Sequence, residues 1–301
     1  MADPTAGTFR KNHDVAAPAL IDLHHQAERV VGCYLLETAD GLALHDCGPT
    51  TCLPALKQAL ADRGLELSDV RHLLLSHIHL DHAGAAGTLV REHPGLRVHV
   101  SEIGAPHLVD PAKLEASARR LYGDAFDVLW GELAPVSEGN VEVVADRVVG
   151  LDCFPSPGHA SHHVCYLQED GTLYAGDAAG VRIQPGRYAI PVCPPPDLDV
   201  EAWFRTFDEI ERRQPARLAL IHFGVADSPS EHLALVREEL TKWAERGHED
   251  MDEQAWVDAA RRDLEAAVGG DEADHWERAA PLWQSYVGMK RYWDKQREAV
   301  G

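Results

Sequence analysis

Positive charge is scarce in this chain of 301 residues. Lys and Arg number 28 against 49 Asp and Glu, a formal net charge of −21. Such a balance keeps a protein soluble, repels polyanions and argues against nucleic acid as the substrate. No apolar stretch of membrane-spanning length is present. The start, Met1-Ala2-Asp3-Pro4-Thr5, lacks the basic and apolar regions of a secretory signal. The expectation is a cytoplasmic protein that engages neither membrane nor nucleic acid. No C-x-x-C pair occurs among the six cysteines, Cys33, Cys47, Cys52, Cys153, Cys165 and Cys193. Most lie in apolar, strand-like surroundings, where reduced, buried thiols are expected. Cys47, beside Asp46, has a functional alternative, but packing is its expected role. The hydrophobic fraction of 45% over this length suffices for a large folded core.

Metal-capable side chains, by contrast, are dense. Ser76-His77-Ile78-His79-Leu80-Asp81-His82 carries four of them at the end of the apolar run Val70–Leu75, and small residues follow from Ala83. A chain that leaves a buried strand for a helix can present His77 and His79 together, with Asp81 and His82 reaching a second point nearby. Imidazoles and carboxylates suit zinc-like ions, and no single ion needs all four from so tight a turn. The spacing points to two ions side by side. Three further residues sit at or just beyond strand-like runs: His159 after Pro157-Gly158, Asp177 after Gly176, and His222 after Leu218–Ile221. Alone, Asp177 reads as a helix cap or turn former and His222 as a polar terminus. Together with the first cluster, these residues fit an open α/β architecture that gathers its chemistry at strand ends.

The order H-x-H-x-D-H, then P-G-H, then G-D, then H-F-G resembles the metallo-β-lactamase-fold hydrolase superfamily over roughly Leu20 to Val236. The resemblance implies an αββα sandwich with its metals along one edge. It implies one ion held by His77, His79 and His159, and another by Asp81, His82 and His222, with Asp177 bridging. Asp46 matches an early acid that braces a ligand histidine, and His163 (with His162) is expected behind the ligands. Zinc is the first expectation for the two divalent ions, with iron or manganese as alternatives. Their residual positive charge can hold a bridging hydroxide as nucleophile.

Along the chain, residues 1–17 read as a polar N-terminal arm, 18–246 as the metal-binding domain, and 247–301 as a C-terminal helical extension. The extension is expected to contain helices Glu253–Ala267 and Asp274–Lys295. Its Trp256, Trp276, Trp283, Tyr286, Tyr292 and Trp293 are expected to pack on the sandwich or on a second subunit, which makes a homodimer possible.

Motif distances narrow the chemistry. Asp177 lies 18 residues after His159 and His222 lies 45 after Asp177, which leaves no space for the inserted domain of the nucleic-acid-processing relatives. Asp177 stands where one group of β-lactam hydrolases has cysteine, and His79 where diiron flavoproteins have glutamate. The leading expectation is hydrolysis of a small ester, lactone or thioester, in the manner of glyoxalase II and lactonase relatives. Asp81 would relay a proton, and Tyr188 would donate to the substrate. Arg182 and Arg187 would anchor an acidic one. The alternatives are a phosphoester or phosphotriester hydrolase, a mononuclear iron persulfide dioxygenase, and a non-enzymatic binding protein, the last opposed by seven filled ligand positions.

Overall fold

The computed structural model describes residues 18–300, so the expected N-terminal arm lies outside the described residues. Twelve strands form two sheets of six. The first runs in chain order through β1 (Ala19–Asp22), β2 (Gly32–Thr38), β3 (Gly41–His45), β4 (Val70–Leu74), β5 (Arg97–Val100) and β6 (Val141–Val143). The second contains β7 (Arg147–Val148), β8 (Leu151–Pro155), β9 (Val164–Leu167), β10 (Thr172–Gly176), β11 (Arg217–Leu220) and β12 (Gly224–Ala226), again in order. This two-fold plan is the duplication that no short-period repeat in the sequence announces.

Strands β3 to β6 pair in parallel, as do β10 and β11, and the remaining neighbours are antiparallel. Parallel neighbours need a crossover, and helices supply most of them. The first half carries α1 (Leu53–Ala61), α2 (Leu80–Ala83), α3 (Ala86–Glu92), α4 (Ala105–Val109), α5 (Ala112–Tyr122) and α6 (Phe126–Trp130). In the second half α7 (Val200–Arg213) joins β10 to β11, and α8 (Pro229–His248) follows β12. Asp199 caps α7 by accepting the Ala202 N–H at 2.9 Å.

Strand β4 is buried at every position but Arg71, as expected of a central parallel strand with both faces covered. Tyrosines lock the sheets together. Tyr34 on β2 donates its hydroxyl to the carbonyls of Leu220 and Gly224 at 3.0 and 2.9 Å. Tyr166 on β9 donates to the Leu75 carbonyl at 2.8 Å. Each ring fills the space between the sheets while its buried hydroxyl stays satisfied. All six cysteines are buried and unpaired. Cys47 is a packing residue, its thiol pushed well above the ordinary range chiefly by burial.

The extension holds three helices where two were expected: α9 (Glu253–Val268), α10 (Gly270–Ala279) and α11 (Leu282–Val300). Pro281 divides the predicted second helix, because its ring excludes the preceding turn and it lacks an N–H. Helix α8 also continues to His248, through the boundary expected at residue 246. Trp256, Trp276, Leu282 and Met289 belong to the same apolar core as the sandwich. Trp243 on α8 meets Trp256 edge-on with ring centres 5.2 Å apart. The tail thus docks on its own sandwich. No helix among the described residues is long and apolar enough to cross a membrane.

A continuous core predicts one cooperative unfolding transition in urea for the whole chain. Trp276→Ala should lower stability by about 3–5 kcal/mol, the usual cost of emptying a buried tryptophan site. An early separate transition removed by that substitution would show the extension folding on its own.

Candidate metal centre

Every candidate ligand follows a strand whose direction brings its C-terminal end to the same edge of the sandwich. His77, His79, Asp81 and His82 follow β4, His159 follows β8, Asp177 follows β10 and His222 follows β11. Two local devices make the convergence possible. Gly158 has φ 140°, and a Cβ there would lie 2.3 Å from the Trp203 Cβ, so α7 sits directly on the Pro-Gly-His turn. Gly176 has φ 49°, and a Cβ would meet Ser76 and His163 at 2.5–2.6 Å, so only glycine lets β10 come this close to the histidine loop.

The seven side chains form two adjoining sets. His77 Nε2, His79 Nδ1 and His159 Nε2 lie 2.8, 2.9 and 3.2 Å apart. Asp81, His82 and His222 make the second set, with His222 Nε2 3.3 Å and His82 Nε2 3.7 Å from the Asp81 carboxylate. Asp177 stands between them. Its Oδ2 is 3.4 Å from His159, while its Oδ1 is 3.4 Å from His82 and 3.6 Å from His222.

The outer nitrogens fix which atoms face inward. His159 Nδ1 donates to the Val192 carbonyl at 2.7 Å, and His222 Nδ1 to the Val30 carbonyl at 2.6 Å. A carbonyl only accepts, so both Nδ1 atoms carry the proton and, in the neutral ring, both Nε2 atoms present lone pairs. His82 Nδ1 donates to Asp46 at 2.8 Å, and Asp46 also accepts from the Ser76 N–H and hydroxyl at 2.7 Å each. Asp46 reaches both from a left-handed backbone conformation, φ 57°, uncommon outside glycine. His163 Nε2 accepts the Asp177 N–H at 3.1 Å and its Nδ1 donates to Ser156 at 2.7 Å, so it positions the bridging candidate from behind.

The donor set fits a pair of divalent ions. Ligands about a tetrahedral ion with bonds of about 2.0–2.1 Å stand roughly 3.3 Å apart, close to the spacings of the first set. Buried atoms His82 Nε2, His222 Nε2 and Asp177 Oδ1 find no hydrogen-bond partner among the described residues. Such a group of unpartnered buried polar atoms fits a cation site. Burial, reinforced by the neighbouring imidazoles, holds His77 and His79 well below the ordinary histidine range, and burial lowers His159 as well. Burial also opposes charge on His82 and His222, but Asp177 and Asp81 outweigh it and raise both.

The sequence profile of the metallo-beta-lactamase superfamily matches residues 28–222. The chain belongs to that superfamily. Among curated relatives, the uncharacterized protein YobT of Bacillus subtilis (strain 168) is 25% identical over 212 residues, covering 67% of this chain and 87% of its own length. The hydroxyacylglutathione hydrolase of Rhizobium meliloti (strain 1021) is 33% identical over 146 residues, 46% of each chain. Among solved structures, the superfamily protein ST1585 from Sulfolobus tokodaii superposes with a TM-score of 0.62 at 18% identity, covering 91% of this chain and 96% of that one. Fold and ligand clusters together support metal-dependent enzymatic activity.

The residues expected to bind substrate are engaged elsewhere. Tyr188 packs against Trp276 on α10, ring centres 5.9 Å apart. Arg182 gives its Nε–H to the Gly186 carbonyl at 2.9 Å, and Arg187 is 83% exposed with Glu231 as its neighbour at 3.8 Å. That loop forms the seam with the extension, and this explains its apolar and aromatic content. Sequence reasoning missed Ser76 and the carbonyls of Val30 and Val192. Only Ser76 had a signal, its place directly before the histidine run.

Metal affinity should separate the two sets by pH. His77, His79 and His159 are already neutral near pH 7, so an ion there displaces no proton and its affinity stays nearly flat from pH 6 to 8. Asp177 and Asp81 raise His82 and His222, so an ion among them displaces protons wherever the pH lies below those raised values. Its affinity should rise about tenfold per pH unit for each proton displaced. Calorimetric zinc titrations across that range check this, and two equal, pH-independent affinities would refute it.

Proposed function

We propose that this superfamily member is a binuclear metal-dependent hydrolase of a small ester, lactone or thioester. One observation carries the reading: Asp177 turns one carboxylate oxygen toward each ligand set, so that a single side chain would serve both. A mononuclear iron site would leave the second, equally complete set without a purpose. The similarity to a hydroxyacylglutathione hydrolase supports acyl transfer to water over phosphoester cleavage.

His77, His79 and His159 would hold one ion and Asp81, His82 and His222 the other, with zinc the first expectation and iron or manganese as alternatives. Bound divalent ions supply Lewis acidity for the carbonyl and bring a water's pKa toward neutrality, so that it attacks at pH 7. The chain's own residues orient and protect that chemistry. Asp46, Val30 and Val192 clamp the outer nitrogens of His82, His222 and His159, which keeps each of these three imidazoles in one direction. Burial opposes charge on Asp81, yet His82 and His222 outweigh it and keep the carboxyl below its usual range. Asp81 is therefore an anion at neutral pH, as a metal ligand must be, and its partly exposed position would let it relay a proton from the water to the leaving group. In balance, the acyl C–O or C–S bond breaks, the water oxygen bonds to the carbonyl carbon, and one water proton leaves with the alcohol or thiol.

The purified protein should carry about two ions per chain. Asp177→Asn should reduce this to about one and lower kcat/KM on the best ester or thioester by more than about 100-fold. Metal analysis and steady-state kinetics read both, and a variant with unchanged metal content and turnover removes the bridging role.

A further inference from the structure

An aromatic wall with no assigned role borders the open side of the cleft. The Asp81 side chain is 24% exposed, whereas those of Asp177, His82, His159 and His222 are 2% exposed or less. The cleft opens beside His79 and Asp81, the two partly exposed candidate ligands. Leu80, between two candidate ligands, does not join the main core; it packs with Phe126 and Trp130 in a separate small cluster edged by Tyr122. Trp130 stacks on buried His25 with ring centres 5.1 Å apart and planes at 21°. Tyr122 stands edge-on to Trp130 at 5.1 Å and to Trp283 at 6.2 Å. Gln284 donates its amide to the Tyr122 hydroxyl at 3.1 Å, so the first turn of α11 completes the wall.

Three features mark this wall as a site. Burial, with the Asp81 carboxylate adding to it, pushes the Tyr122 phenol up, and the same carboxylate opposes the lowering of His25 by burial. Both groups therefore lie within electrostatic reach of the candidate centre. His25 sits in a loop where His24, Gln26 and Arg29 all hold left-handed backbone, φ 52°, 61° and 57°, a combination that persists only where the surroundings enforce it. Trp130 Nε1 is buried with no acceptor among the described residues, an unspent donor inside the wall. The wall is also poor in free positive charge. Arg119 lies over Phe126 at 4.0 Å and is paired with Glu115 and Asp127.

We propose that Tyr122 and Trp283, backed by buried Trp130 and His25, form the acyl-binding wall, and that the substrate's acyl group is uncharged and apolar, aliphatic or aromatic. The inference rests on the hydrolase reading and narrows its substrate class. Aromatic faces bury hydrocarbon with little loss of side-chain freedom, and a neutral chain meets no unpaired charge here.

The test uses the full, metal-loaded chain and a series of p-nitrophenyl esters from acetate to octanoate, beside a hydroxyacyl thioester of glutathione. kcat/KM should rise about three- to fourfold for each methylene buried, and the octanoate should exceed the glutathione thioester. Trp283→Ala, at a partly exposed position, should flatten that dependence at unchanged metal content. A flat series in the parent protein, preference for the glutathione thioester, or an unaltered slope in the variant overturns the proposal. Calorimetric binding of octanamide keeps it separable from the hydrolase reading. If no ester or thioester is cleaved, binding weakened at least tenfold by Trp283→Ala still supports the wall, and absence of binding refutes it.

Discussion

His77 Nε2, His79 Nδ1 and His159 Nε2 meet at 2.8–3.2 Å within a buried cleft, and this crowding is the constraint around which the molecule is organised. Ring nitrogens that all turn lone pairs inward repel one another unless a cation lies between them. The outer nitrogens of His82, His159 and His222 are held by Asp46 and by the carbonyls of Val192 and Val30. Asp46 is the most heavily committed of these partners. It accepts from Ser76 twice and from His82 once, out of a backbone conformation that is itself unfavourable. Rigidity behind the ligands is what keeps the open side of the cleft free for chemistry.

The fold supplies that rigidity by placing the ligands on short turns after buried strands. Both sheets contribute, and their approach is governed by backbone as much as by side chains. The absence of a Cβ at Gly176 lets one sheet edge lie against Ser76 and His163. At Gly158 the same absence lets Trp203 cover the His159 turn, with its indole N–H donating to the Ala178 carbonyl at 2.7 Å. Packing, hydrogen bonding and ligand geometry meet at these turns, so a substitution there disturbs all three.

Much of this was legible in the sequence because local density is a strong signal. Four metal-capable residues in the Ser76–His82 turn, and three more at later strand ends, identified both ligand sets and the αββα architecture with its helical extension. The long-range parts were not legible. Nothing in the residues near Val30 or Val192 signals that a carbonyl will orient a distant imidazole, since any residue type supplies one. The partners of the proposed substrate loop were not legible for a related reason. Exposure cannot be read from polarity alone: Arg187 is exposed to solvent, while Tyr188 is partly buried against Trp276 on α10. The aromatic wall escaped notice because His25, Tyr122, Trp130 and Trp283 are scattered over most of the chain.

Arg29 ties several of these parts together. Its guanidinium donates to the Gln184 carbonyl at 2.8 Å and reaches Glu272 on α10 at 3.4 Å, while the next residue, Val30, offers the carbonyl that aims His222. The tilt of one imidazole is thereby geared to the seating of α10, which begins 48 residues downstream of it and holds no ligand itself. Chimeras that exchange this tail between superfamily members will transplant more than a cover: they will retune the core they are fitted to.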